Sequence, residues 1–156
     1  MSAPIPVRLE PQKNGGQAAQ ALGRSRGGFS TKIHVKTDGL GNPLRFILTG
    51  GECHESTQAE HLLDEQLGDY VLADRGYDKD DLIAFILDHG AIPVIPSRKN
   101  RKQPRDYDTW RYRERALIEC FINKIKHYRR LFSRFDKLDS RFLGFLHFAG
   151  TLIWLR

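Results

Sequence analysis

Cysteine is scarce in this sequence. Cys53 and Cys120 are the two present, they lie far apart, and neither belongs to a paired metal-ligand spacing. That argues against a disulfide-stapled secreted scaffold and reads as reduced thiols in a cytoplasmic protein. Long apolar runs are absent as well. The longest apolar patches, residues 142–148 and 152–155, are short and interrupted, whereas a membrane span needs about 20 apolar residues. The opening Met1-Ser-Ala-Pro-Ile-Pro6 has no basic flank followed by an apolar stretch, so no signal peptide and no membrane partner are expected. Aspartate is missing from residues 1–28, where Glu10 is the only acid.

What is plentiful is positive charge. Lys and Arg number 25 against 19 Asp and Glu, a net charge of +6 on 156 residues. The length suits one domain with a real core. A basic domain often meets nucleic acid, because phosphate neutralisation supplies most non-specific affinity. Many basic domains bind nothing anionic, so the balance alone leaves both readings open.

Residues 1–28 hold Pro4, Pro6, Pro11, the Gly15-Gly16 pair and Gly23-Arg-Ser-Arg-Gly-Gly28, with little to bury, and read as a flexible basic arm. Residues 29–156 read as one folded domain. Alternation over 29–37 sets Phe29, Thr31, Ile33 and Val35 on one face of a strand. Asp38-Gly-Leu-Gly-Asn42 makes a turn, and 43–49 supplies the return strand. Ser56 or Thr57 can cap a short helix to about residue 66. A buried strand over 70–73, a helix over 80–89 stopped by Gly90, and a second buried strand over 91–95 follow. Residues 97–105 form a basic loop, 109–132 a long helix and 142–155 a last apolar helix. The order gives a mixed α/β sheet with covering helices.

On the long helix, Tyr112, Arg115, Glu119 and Lys126 fall on one stripe when each residue turns by about 100°. Leu117, Ile118, Phe121, Ile125, Tyr128 and Phe132 take the core side. A charged stripe can be a solvated face laced by ion pairs, each contributing a few tenths of a kcal/mol; it can also present a metal-binding Glu119 with DNA-facing helpers. Asp74, after Tyr-Val-Leu-Ala73, sits at the carboxyl end of a sheet strand, where α/β proteins place ligand chemistry. A turn or cap role is the alternative. Holding Mg²⁺ there requires a second carboxylate, because the ion takes oxygen ligands in octahedral geometry, and Glu119 is the best candidate. His54 and His61 read as structural or exposed.

Three blocks together resemble the DDE transposases of bacterial insertion sequences, of the IS-four and IS-five kind. Gly23-Arg-Ser-Arg-Gly-Gly-Phe-Ser-Thr-Lys-Ile-His34 is similar to the block before that family's second strand. Ala73-Asp-Arg-Gly-Tyr-Asp78 resembles the block around its second catalytic Asp. Tyr112, Arg115, Glu119 and Lys126 match Tyr-x2-Arg-x3-Glu-x6-Lys at every spacing. The resemblance covers about residues 13–156, as a C-terminal catalytic portion. It implies a ribonuclease H-like mixed sheet with flanking helices, and Mg²⁺ (or Mn²⁺) held by Asp74 and Glu119 for in-line attack on DNA phosphates. It further implies DNA contacts, with transposon ends and target, by Tyr112, Arg115 and Lys126. Weaker candidates are Arg24, Arg26 and loop 98–105, and a homo-oligomer is expected of the complete enzyme.

The departure is the family's first Asp, expected on an opening strand. No Asp lies in 1–28, Asp38 belongs to the hairpin turn, and Glu10 sits in an unlike Leu-Glu-Pro setting. Pro4, Pro6 and Pro11 make a central strand there unfavourable, so the first catalytic strand is read as missing or replaced. The expectation is that this chain alone neither cleaves nor joins DNA, and that the family's upstream DNA-recognition region is absent. It is then a frameshift partner of an upstream reading-frame product, or a truncated relic. The rivals are a non-catalytic DNA-binding remnant or regulator of its element, and a metal nuclease of the same fold.

Overall fold

The computed structural model describes residues 2–6, 16–25, 28–63 and 67–156. Its centre is an antiparallel hairpin. Along the chain come β1 (Ser2–Pro6), α1 (Gly16–Ala19), β2 (Gly23–Ser25), β3 (Gly28–Thr37) and β4 (Pro43–Gly50). β3 pairs β1, β2 and β4, all antiparallel, with Ile33 opposite Leu48 and Val35 opposite Phe46 across the hairpin. The expected alternation holds for Thr31, Ile33 and Val35, which are fully buried, while Phe29 at the strand start is 39% exposed. The even face is covered too: Lys32 Nζ donates to Cys53 O and Lys36 Nζ to Leu63 O, both at 2.6 Å, which lays residues 53–63 over it.

A turn at Glu55–Thr57 leads into α2 (Ala59–Leu63), and β5 (Tyr70–Leu72), α3 (Asp80–Asp88) and β6 (Ile92–Val94) then form a parallel crossover unit. α3 buries Leu82, Ile83 and Ile86 and ends before Gly90, whose φ of +75° favours glycine. The remaining helices are α4 (Thr109–Tyr112), α5 (Ala116–Lys126), α6 (Arg129–Phe132) and α7 (Asp139–Trp154). Two apolar cores result. Ile33, Val35 and Phe46 pack with Phe121, Ile125, Phe142 and Leu146 beneath the hairpin. Val71, Tyr77, Leu82 and Ile86 build the second around the crossover. The architecture is mixed α/β. No helix among the described residues is long and apolar enough to cross a membrane.

Three expectations are corrected. The long helix does not run to 132: a tight turn at Arg113–Arg115 joins α4 to α5, and Tyr128 is extended (φ −81°, ψ 102°). No Pro or Gly causes that break. Restarting at Arg129 turns Leu131 inward, and Arg130 lies 3.7 Å over the Phe145 ring while pairing with Asp136. Phe132, expected in the core, is therefore 54% exposed. The last helix starts at Asp139 instead of 142.

The third correction concerns 1–28, expected to be a flexible arm. Its described parts include β1, α1 and β2, and Ala21 and Leu22 are buried. The prolines fit because β1 is an edge strand. Gly51 N donates to Ser30 O, so even residues of β3 bond towards β4 and odd ones towards β1. Pro4 and Pro6 lie opposite the even Lys32 and Ser30, where β3 calls for no N–H. Glu10, Pro11, Gly15 and Arg26 lie outside the described residues.

Candidate functional site

Asp74 lies two residues past β5, just after the parallel pairing with β6 ends through Ala73 N donating to Val94 O. Its Oδ1 accepts Gly76 N at 2.8 Å and caps the turn Arg75–Tyr77. The cap role weighed for Asp74 is thus real, and it engages one carboxylate oxygen, leaving Oδ2 to face another partner. Glu55 converges on the same turn: a Cβ built on Gly76 would stand 2.9 Å from Asp74 Oδ1 and 3.1 Å from Glu55 Oε2. Tyr77, buried beneath them, has a hydroxyl without a hydrogen-bond partner. Burial, then the charges of Glu55 and Asp74, push its ionisation well above the ordinary tyrosine range.

Glu119 stands on α5 with its side chain 46% exposed, and Arg115 Nη2 donates to its Oε1 at 2.7 Å. The Arg115 guanidinium also lies 5.4 Å from the Tyr112 ring centroid, so Tyr112, Arg115 and Glu119 form one contact chain. The intervening turn does not break this chain: Tyr112, Arg115 and Ala116 all keep helical angles. Lys126 closes α5, exposed, about 10 Å along the axis from Glu119.

A cleft of about 340 Å³ lies close by, lined by neighbours of Asp74 and Glu119 and not by the two carboxylates themselves. Ala73 and Tyr77 line it on the Asp74 side, Arg115 and Ile118 on the Glu119 side, and Val35 and Thr37 of β3 at its base. β3 and β5 border this space without pairing to each other. Carboxylate oxygens suit a hard divalent ion. Among the described residues, though, no three His, Cys, Asp or Glu side chains are grouped to hold a metal. His54 and His61 are exposed. Asp38 is fully used in the hairpin turn, accepting from Leu40 N, Asn42 N and Asn42 Nδ2.

Part of the basic loop 97–105 is engaged within the chain. Arg101 and Arg105 bind Asp78 and Asp80, and Arg98 Nη2 donates to Gly76 O at 3.0 Å. Lys99 and Lys102 are exposed, as is Arg24 on β2. Sequence reasoning missed Glu55 and Asp78. Asp78 lay within the Ala73–Asp78 block, and the five cations of 98–105, two of which pair with Asp78 and Asp80, were a signal for pairing. For Glu55 no local signal existed.

The match that decides the family spans nearly the whole chain: residues 4–153 fit the family model described as Transposase DDE domain. The chain belongs to that family. Membership ties it to DNA transposition. It is 41% identical over 130 residues to a transposase assigned to insertion sequence element IS6501 in Brucella ovis, covering 82% of this chain and all of that relative. It is 31% identical over 135 residues to one assigned to IS402 in Burkholderia cepacia. That match covers 79% of this chain and 62% of the longer relative. No solved structure matches this DDE domain.

Proposed function

We propose that this transposase domain is a C-terminal catalytic portion of the IS-four/IS-five kind, ribonuclease H-like in fold, acting in metal-dependent cleavage and joining of DNA at insertion-sequence ends. The observation that supports it is the cleft. Ala73, next to Asp74 at the end of a parallel strand, and Arg115 and Ile118, beside Glu119 on its helix stripe, line one opening, with Arg115 in contact with both Tyr112 and Glu119. Asp74 and Glu119 are the residues that would hold Mg²⁺ or Mn²⁺. A bound ion would supply Lewis-acid activation of the attacking and leaving oxygens. Arg115 holds Glu119 in place by its ion pair, and Tyr112 and Lys126 extend the same stripe towards a DNA backbone. Arg24 and Arg26 are assigned to outer phosphate contacts.

Among the described residues no group of three acids stands ready to hold a metal, and the role of the family's first Asp is unfilled there. The proposed source is an upstream reading-frame product, with the complete enzyme working as a homo-oligomer. The test is joining of labelled element ends in Mg²⁺, by the chain alone and by the chain supplied with or fused to that product. The supplied form should join ends, and Asp74→Asn or Glu119→Gln should abolish joining. Robust joining by the chain alone, or by the Asp74→Asn enzyme, would overturn the proposal.

A second reading, a non-catalytic DNA-binding remnant or regulator, is favoured by the exposed Lys99, Lys102 and Lys126 beside an incomplete acid set. It requires DNA binding that ignores Asp74→Ala. It also requires a fall in salt slope of about 0.9 for each phosphate contact removed, as by Lys126→Ala.

A further inference from the structure

Asp78 is a carboxylate with no exposed side-chain surface, four residues beyond Asp74. Three donors meet it: Arg98 N at 2.8 Å and Arg101 Nε at 2.9 Å on Oδ2, and Arg105 Nη1 at 2.5 Å on Oδ1. Arg101 and Arg105 also reach Asp80 Oδ1, at the first turn of α3. The loop is closed on itself by Arg105 N donating to Ser97 Oγ. Asp78 thus fastens loop 97–105 to the segment between β5 and α3. A buried carboxylate stripped of its cations is strongly unfavourable, so the four groups hold or fail together.

The same loop grips the turn that carries Asp74. Arg98 Nη2 donates to Gly76 O at 3.0 Å, while Gly76 N donates to Asp74 Oδ1 at 2.8 Å. Gly76 is held from both ends: its carbonyl by a guanidinium, its amide by the Asp74 carboxylate. Arg98 owes its position to Asp78, which binds its main-chain N–H. We infer that Asp78 is a positioning residue, which through Arg98 and Gly76 sets the orientation of the Asp74 carboxylate beside the cleft. In consequence Arg101 and Arg105 serve the site's geometry and not DNA phosphates, leaving Lys99 and Lys102 as the loop's DNA-facing cations. The functional meaning rests on the reading of Asp74 as the working carboxylate; the positioning itself does not.

The test therefore uses neither metal nor DNA. Amide hydrogen exchange at Gly76, measured by NMR on the 156-residue chain, reports the Asp74 bond directly. Asp78→Asn should speed exchange at Gly76 about tenfold or more, with Ile33 and Val35 in the hairpin unchanged. Arg98→Ala, at an exposed side chain, should speed Gly76 about threefold and spare the hairpin. An unchanged Gly76 rate, or an equal rise at Gly76, Ile33 and Val35, overturns the proposal, since a merely stabilising role moves all amides alike. If Asp78→Asn does not fold, Arg98→Ala decides by the same two outcomes. Joining that survives Asp74→Asn would sink the metal-site reading and leave the exchange result standing.

Discussion

Acid should weaken this fold earlier than its carboxylates require, and His34 is the cause. The ring is fully buried on the even face of β3; Nε2 pairs with Thr49 Oγ1 at 2.9 Å, and Nδ1 has no partner. Burial first, and the Lys32 ammonium second, bring its pKa from 6.5 down to about 4. Between those values the unfolded chain takes up a proton that the folded chain refuses. Stability from this residue is therefore complete above about pH 6.5 and declines as pH falls to about 4. The whole loss corresponds to about 3 kcal/mol, with a steepest slope of about 1.4 kcal/mol per pH unit. Urea midpoints at pH 7.5, 5.5 and 4.5, for the native chain and His34→Gln, isolate it. The glutamine keeps a bond to Thr49 but cannot titrate, and the acid-sensitive carboxylates cancel in the comparison. The stability of the native chain relative to the variant should drop by about 2–3 kcal/mol across this range. A difference that stays flat would refute the burial argument.

Gly41, at φ +84° in the hairpin turn, would bring a Cβ to 3.2 Å from Leu117 Cβ, so Gly41→Ala should cost about 1–2 kcal/mol by urea denaturation. Gly39→Ala, two residues away with nothing within 4 Å, should be within about 0.5 kcal/mol of native. Arg134→Leu should destabilise by about 3–5 kcal/mol, because it removes the donor to Gln20 O, Asp136 O and Thr31 Oγ1. Amides near residue 21 should then lose exchange protection first. Phe142→Ala, with the ring fully buried against the hairpin, should cost about 3–5 kcal/mol in the same assay.

Elements whose cause is local were legible. Alternation over 29–37, the Asp38–Asn42 turn and the Gly90 stop placed β3, β4, α3 and their parallel partners within a residue or two. The Glu119 stripe followed from helical period alone, and Arg115 does contact both Tyr112 and Glu119. What escaped depends on partners far away in sequence. Tyr128 breaks the helix because Leu131 and Arg130 find sites against α7. Arg134 has no exposed surface, an outcome that nothing in the motif Ser-Arg-Phe announces, since arginine is normally a surface residue. Pro4 and Pro6 argued against a central strand correctly and against an edge strand not at all. Glu55 and Asp78 stayed hidden because their roles exist only once two turns and a loop have met.

The Arg134 guanidinium has a further consequence, for timing on the ribosome. It donates to Gln20 O at 2.8 Å and to Thr31 Oγ1 at 2.6 Å, spans of 114 and 103 residues. At about 5–20 residues per second, Gln20 is made about 6–23 s before that arginine exists. Thr31 Oγ1 donates to Ala21 O at 2.8 Å across only 10 residues, so the nascent chain can form that bond early and keep the two acceptors together. A late segment then locks an early one, and a ribosome that stalls before residue 134 releases a hairpin whose opening segment is held by its pairing with β3 and the Thr31–Ala21 bond alone.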